Sequence, residues 1–229
     1  MFTGFSDDTI QFLLDLRFHN HTSFFHENHD QYVESVQKPF YELIESLSPV
    51  ALDIDPEMEV RPHKCLSRIH RDTRFSRDKS PYRDHHWFLF RKKGEPRENS
   101  VFFYGEFGPG RLDWGMGVWG EGREMMDCFR KKIAANPERI MSIIDGMDLP
   151  KRDLALGGRY FKRIEIPDSV PEKLIRWYSA RDLYIGKMAP AYELAFSEKL
   201  VREMEKDFIA LAPMYRLLNG IREELKDEQ

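Results

Sequence analysis

The sequence predicts an α+β fold in a single domain, residues 1–229, with a central, mainly antiparallel sheet flanked by N- and C-terminal helices. Apolar residues recur at helical spacing near both ends of the chain, whereas the centre holds short aromatic runs separated by turn residues. Hydrophobic residues make up 41% of the sequence and include 17 Phe. That content is sufficient for a sizeable core, so we expect the chain to fold by burial.

The first fifty residues predict two helical segments. Ser6 is an N-cap candidate for the first segment, in which Leu13 and Leu16 belong to the apolar face. The second segment carries apolar residues from Tyr32 to Leu47, and Pro39 is expected to kink or divide it. The residues from 48 to 62, which are rich in Pro and Asp, predict a connection to the central sheet.

Three strands are predicted in the centre, and short turn-rich connections separate them, as in antiparallel hairpins. In the third strand, Gly115 and Gly117 share a face that is expected to be open and to form a pocket wall with Trp119. The predicted strands are His85–Arg91, Ser100–Phe107 and Leu112–Trp119.

Helical spacing returns from Glu121 onward. Asn136 is an N-cap candidate followed by Pro137 at the first helical position of another helix. Residues 154–166 predict a turn and a short strand, and a final helix is expected to begin near Ser197 and to kink or break at Pro213.

A strongly basic segment lies within this otherwise acidic chain. Residues 61–83 hold eight Lys or Arg against two Asp, a local charge of +6, whereas the whole chain has a formal charge of -4. Cations at this density repel one another unless they are solvated, paired with carboxylates or arranged around an anion. The acidic remainder argues against nucleic acid as a partner.

Other features argue against several classes of protein. Cys65 and Cys128 form no metal or disulfide pattern and are expected to be small buried residues in a reducing compartment. No apolar window is long enough to span a membrane, and no N-terminal leader pattern is present, so a cytoplasmic location is expected. The histidines match no established zinc signature, and we predict neither a metal nor a cofactor.

The central string RDTRFSRDKSPYR at 71–83, GMGVW at 115–119 and SFFHENHDQY at 23–32 resemble the family known as domain of unknown function 2461. A later element, Gly158–Arg163, is also similar to that family. The resemblance runs over nearly the whole chain and implies a compact α+β unit, with no agreed reaction to carry over. Arg83 stands where the family motif has Lys.

The first functional hypothesis is an anion site that recognises a phosphate- or carboxylate-bearing small molecule. In this hypothesis Ser76–Pro81 is a turn that presents N–H donors to the ligand. The alternative is that Asp72 and Asp78 pair with neighbouring arginines and only hold the loop in place. The predicted binding residues are Arg68, Arg71, Arg74, Ser76, Lys79, Tyr82, Arg83 and Trp119.

Two further hypotheses remain open at the level of sequence. An enzyme would use His70, Asp72 or Asp78 for acid or base chemistry on the anion, and His70 is the better proton carrier. Arginines around an Asp lower its pKa, which suits an electrostatic anchor better than a general base. A nucleic-acid or protein interaction module would use basic residues interleaved with aromatic ones, such as Phe75 and Trp87.

Overall fold

A computed structural model of the chain describes residues 1–96, 100–118 and 123–227. The structure divides into two compact units. Unit 1 comprises Met1–Phe90, Tyr104–Trp114 and Ala189–Glu205, and unit 2 comprises Arg91–Phe103, Gly115–Met188 and Lys206–Gln229. The single-domain organisation over residues 1–229 stays a prediction.

The helices occupy most of both ends of the chain. In chain order they are α1 Asp7–Phe18, α2 Thr22–Glu27, α3 His29–Tyr32, a π-helical segment Val33–Gln37, α4 Lys38–Ile54, α5 Pro62–Cys65, α6 Arg123–Ala135, α7 Pro137–Gly146, α8 Ile175–Tyr178 and α9 Lys199–Asp227.

The strands form a five-stranded antiparallel sheet in the order β1-β2-β3-β5-β4. The α+β prediction is therefore confirmed, and the three predicted central strands agree with the observed ones to within one residue at each described end. The end predicted at Trp119 lies outside the described residues. The strands are β1 His86–Phe90, β2 Val101–Gly108, β3 Arg111–Val118, β4 Leu154–Gly157 and β5 Tyr184–Lys187.

Aromatic packing holds unit 1 together between its N-terminal helices and β2. Phe5 stacks on Phe107 with ring centroids 4.1 Å apart, and the Phe40 ring of α4 lies 4.8 Å from that of Phe5. Phe40 and Phe107 are almost fully buried. Ser6 is the N-cap of α1, as predicted, and its backbone N–H donates to Thr9 Oγ1 at 3.3 Å.

Unit 2 has its own aromatic core, which joins β2 to the C-terminal helix. Phe103 packs against Phe208 and Tyr215 of α9, with ring centroids 4.9 and 5.0 Å apart. The predicted cap of α7 is also present, because Asn136 Oδ1 accepts a hydrogen bond from the Arg139 N–H at 3.1 Å. Pro137 is the first residue of that helix.

Two prolines depart from the sequence-based expectations. The connection predicted from residue 48 is wrong, because α4 continues through Pro49 to Ile54. Val50, Ala51 and Ile54 extend its buried face, and their burial offsets the loss of a helical hydrogen bond. Pro213 does not break α9, which also runs through it.

The glycine face of β3 is not the open surface that the sequence predicted, because Gly115 and Gly117 are both buried. β5, which the sequence did not reveal, pairs with the edge of β3 so that Gly115 lies opposite Gly186. A Cβ on Gly115 would lie 2.0 Å from the Ile185 carbonyl oxygen. Close approach of the β5 backbone therefore requires glycine at this position.

Among the described residues, no helix is both long and apolar enough to cross a membrane.

Candidate functional site

The basic segment folds back on itself in unit 1. The Arg71 N–H donates to the Pro81 carbonyl at 2.8 Å, and the Arg83 N–H donates to the Ile69 carbonyl at 2.9 Å. The ends of the segment therefore run antiparallel, with residues 72–80 forming the exposed loop between them. Burial alternates at the start of the segment, as in an extended chain, because Ile69 is buried and His70 is exposed.

Both aspartates of the segment are paired with arginines. Asp78 accepts hydrogen bonds from Arg71 Nη1, from the Ser80 N–H at 2.9 Å and from Ser80 Oγ at 2.6 Å. Asp72 accepts from Arg74 Nε at 3.0 Å and from Arg74 Nη2 at 2.7 Å. This is the pairing that the structural alternative predicted.

The same contacts fix the charge of the two carboxylates. Hydrogen bonds from Arg74 lower the pKa of Asp72 to about 2, and hydrogen bonds from Arg71 and then Ser80 lower the pKa of Asp78 far below its usual value. Both side chains are therefore ionised near neutral pH. They can anchor or orient charge, but they are poor general acids or bases there.

Part of the predicted site lines one concave surface, which we call the Arg71 cleft. It encloses a cavity of about 280 Å³. The lining residues are Arg17, Asn20, Arg71, Asp78, Ser80, Tyr82, Arg83, Asp84 and His85.

The other predicted residues lie elsewhere. Arg68, Arg74 and Lys79 are exposed and do not line the cleft, and Lys79 Nζ instead donates to the Thr73 carbonyl at 2.8 Å. Ser76 is half-buried in the loop, away from the cleft lining, and His70 is likewise outside that lining. Trp119 lies outside the described residues.

Residues beyond the basic segment complete the cleft. Arg17, at the end of α1, donates from Nε to Asp84 Oδ2 at 2.6 Å. Asn20 binds the backbone of Tyr82 twice, by donating to its carbonyl at 3.0 Å and accepting from its N–H at 2.9 Å. Neither residue can be found from the sequence, because each reaches the cleft only through a contact between residues more than 60 positions apart.

An Asp–His pair forms another part of the cleft wall. The Asp84 Oδ1 and the His85 Nδ1 are hydrogen-bonded at 2.8 Å, and His85 Nε2 lies 3.6 Å from Glu106 Oε1. Partial burial opposes ionisation of Asp84, but hydrogen bonds from His85 and Arg17 outweigh it and lower the pKa of the carboxyl. The adjacent Asp84 and His85 were the available signal for this pair in the sequence.

A buried polar network connects the early motif to β1. The Tyr32 hydroxyl and His86 Nε2 are hydrogen-bonded at 3.1 Å, and His86 Nδ1 and Ser67 Oγ at 2.9 Å. Burial, with a smaller contribution from His85, lowers the pKa of His86 to about 3. Burial also raises the pKa of Tyr32 above its usual value, so both rings are neutral in the folded protein.

Comparison with known protein families agrees with this sequence pattern. The model of the conserved hypothetical protein family DUF2461 matches residues 8–217. The chain belongs to the DUF2461 family. No curated protein and no solved structure shows significant similarity to it.

Two motif elements of the DUF2461 resemblance pack against each other in this chain. Phe25, from the early element, stacks on Tyr82 of the central element with ring centroids 4.4 Å apart. Tyr82 is buried, and the Arg83 guanidinium lies 4.8 Å from the centre of the Trp87 ring. Stacking therefore fixes the backbone from which the Arg71 cleft is built.

Within the described part of this DUF2461 chain, no group of three or more His, Cys, Asp or Glu side chains could hold a metal ion.

Proposed function

We propose that the protein recognises a small carboxylate- or phosphate-bearing molecule in the Arg71 cleft. The observation that carries the proposal is the convergence of Arg17, Arg71 and Arg83 on one cavity from separate parts of unit 1. Arginine offers a planar set of N–H donors that matches carboxylate and phosphate oxygens.

Charge and size define the class of ligand. The three arginines face two carboxylates, Asp78 and Asp84, so the charged side chains of the cleft sum to a net charge of about +1 with His85 counted as neutral. A volume near 280 Å³ is at the small end for ligand pockets. A compact metabolite with one or two negative charges satisfies both conditions.

The ion pairs of the cleft leave donors for such a ligand. Arg71 donates to Asp78 through Nη1, and Asp78 is the more exposed partner, with 58% of its side chain accessible against 26% for Arg71. Because an exposed ion pair stabilises a protein by only about 0 to 1 kcal/mol, a ligand oxyanion can compete for Arg71 at little cost.

Ligand binding to matched variants tests the proposal. We expect inorganic phosphate, succinate or citrate to raise the melting temperature of the wild-type protein in a saturable way, and Arg71→Ala to abolish that shift. Asp78→Asn removes the competing carboxylate and should tighten binding several-fold. Arg74→Ala is the control, because Arg74 also pairs with an aspartate of the segment but lies outside the cleft lining.

The proposal fails if none of the three probes binds the wild-type protein. It also fails if Arg71→Ala lowers the melting temperature while every probe still binds as tightly as before, because Arg71 would then serve only to hold the loop.

An acid–base enzyme acting on the same anion is the second candidate function. The Asp84–His85 pair supports it, because a carboxylate that orients a histidine at a cleft is a common general-base arrangement. The test is product detection by NMR after incubation with each bound probe. Turnover in the wild-type protein that is lost in His85→Gln, with binding retained, would support this candidate, whereas binding without turnover would contradict it.

A further inference from the structure

Unit 2 contains a second and larger concentration of arginine, which we call the arginine cavity. It encloses about 540 Å³, and its arginines come from three separate stretches of chain: α6, the Gly158–Arg163 element and the residues before β5. No stretch of sequence is basic enough to predict it. The five lining arginines are Arg123, Arg130, Arg159, Arg163 and Arg181.

Two of these arginines are fixed by carboxylates. Arg130 is 7% exposed, and it donates from Nη2 to Asp127 Oδ1 at 2.5 Å and from Nη1 to the Ala180 carbonyl at 2.8 Å. Arg159 donates from Nε to Asp182 Oδ2 at 2.5 Å, and its N–H donates to Asp182 Oδ1 at 2.7 Å. Their guanidinium groups are thus held in place before any ligand arrives.

Backbone pairing brings two of the arginines face to face. Tyr160 and Ala180 form an antiparallel bridge, and the Arg181 N–H donates to the Arg159 carbonyl at 2.7 Å. Arg159 and Arg181 are therefore directly opposite each other on the same face. Like charges in this position destabilise a strand pair by some tenths of a kcal/mol or more.

Phe161, which shares that face, also has cations close to its ring. The guanidinium groups of Arg130 and Arg181 lie 5.3 and 5.4 Å from the ring centroid. Cation–π contacts position the two groups, but they leave the positive charge in place. The ring and its cations form a preorganised, cationic wall.

The carboxylates nearby are too few to neutralise the cavity. Asp127 and Asp182 against five arginines leave a net charge of about +3. Among the described residues, no carboxylate forms an ion pair with Arg163 or Arg181. Repulsion on this scale is relieved most directly by a bound polyanion.

We propose that the arginine cavity binds a small molecule that carries a chain of two or three phosphate groups. Arginine forks bind phosphate oxygens in pairs, and the net charge matches that of a di- or triphosphate. A volume near 540 Å³ admits such a group with or without an attached nucleoside. This site is separate from the proposed function of the Arg71 cleft and does not depend on it.

Calorimetric titration of the full chain tests the proposal, with inorganic tripolyphosphate and ADP as separate probes. We expect at least one of them to bind at physiological salt. The double variant Arg163→Ala/Arg181→Ala removes the two arginines without acidic partners, and it should weaken binding by about ten-fold or more per arginine. Tripolyphosphate binding alone would identify the phosphate chain as the whole ligand, whereas tighter binding of ADP would indicate a nucleotide.

A matched variant completes the design. Lys131→Ala/Arg139→Ala removes the same charge from exposed positions of unit 2 outside the cavity lining. This control should bind tripolyphosphate or ADP as the wild-type protein does. The proposal is overturned if neither probe binds, if the cavity variant binds as tightly as the wild-type protein, if the control loses binding equally, or if only an RNA oligonucleotide binds.

Discussion

The Arg71 cleft and the arginine cavity differ in how their cations are compensated. In the cleft, the loop that carries Arg71 also carries its carboxylate partner, Asp78. In the cavity, arginines from three stretches of chain meet with fewer carboxylates than they need. A run of basic residues in the sequence can therefore fold into a network of ion pairs. An excess of positive charge at one site depends instead on which residues the tertiary structure brings together.

The largest expected effect is the loss of stability on acidification. It comes from His86, which follows His85 of the cleft in the sequence and is buried and neutral in the folded protein. Folding lowers the pKa of His86 to about 3 from an ordinary value near 6.5, so the unfolded chain binds an extra proton between these limits. We expect the free energy of unfolding to fall by about 1.4 kcal/mol per pH unit from this group as the pH decreases from 6 to 4.

Urea denaturation at several pH values measures that slope, with His86→Gln as the comparison. The variant should be less stable at pH 7, because the hydrogen bonds to Tyr32 and Ser67 are disturbed, but its slope between pH 6 and 4 should be shallower. Equal slopes in the two proteins would contradict a neutral, buried His86. The ionised carboxylates of Asp72 and Asp78 also stabilise the folded state, because folding lowers their pKa values. That stabilisation is expected to be lost at still lower pH, where the two side chains become protonated.

The second effect distinguishes a buried arginine of the cavity, Arg130, from the more exposed Arg71 of the cleft. Arg130→Ala should lower the free energy of unfolding by about 2 to 4 kcal/mol, because it removes a buried guanidinium and leaves the Ala180 carbonyl without that donor. Arg71→Ala should cost less than about 1 kcal/mol, because its partner is exposed. Urea denaturation at pH 7 measures both, and equal costs would remove the distinction between the two regions.

A smaller effect is expected from the backbone that positions Arg159. Gly158 has φ +99°, and a Cβ there would lie 2.5 Å from Asp182 Oδ1. Gly158→Ala should therefore cost about 1 to 2 kcal/mol and displace the carboxylate that holds Arg159. Thermal denaturation measures the cost, and Gly146→Ala is a suitable control because that glycine has open space around it.

Much of the fold could be predicted because local patterns determine it. Ser6, Asn136 and Pro137 are local helix signals, and short aromatic runs marked the three central strands. β5 escaped prediction because it has only four residues and one of them is Gly186. The helix through Pro49 also escaped, because burial of its apolar face outweighs the local preference against proline.

The candidate site was predictable only in part. Arg71, Tyr82 and Arg83 of the basic segment line the cleft, but Arg17 and Asn20 join them through contacts that span 67 and 62 residues. The arginine cavity was even less accessible to prediction from the sequence. Its opposed Arg159 and Arg181 depend on a strand pairing that leaves no periodic pattern in the sequence.

The π-helical segment Val33–Gln37 joins α3 to α4 and determines how the side chains of one helix are rotated about the helix axis relative to those of the other. Tyr32, just before it, is hydrogen-bonded to His86, and the Phe40 ring, just after it, lies 5.4 Å from the same imidazole. Deleting one residue from the segment would turn α4 by roughly 100° relative to α3. Either Tyr32 or Phe40 would then lose its contact with His86. This stretch should therefore tolerate substitutions far better than insertions or deletions.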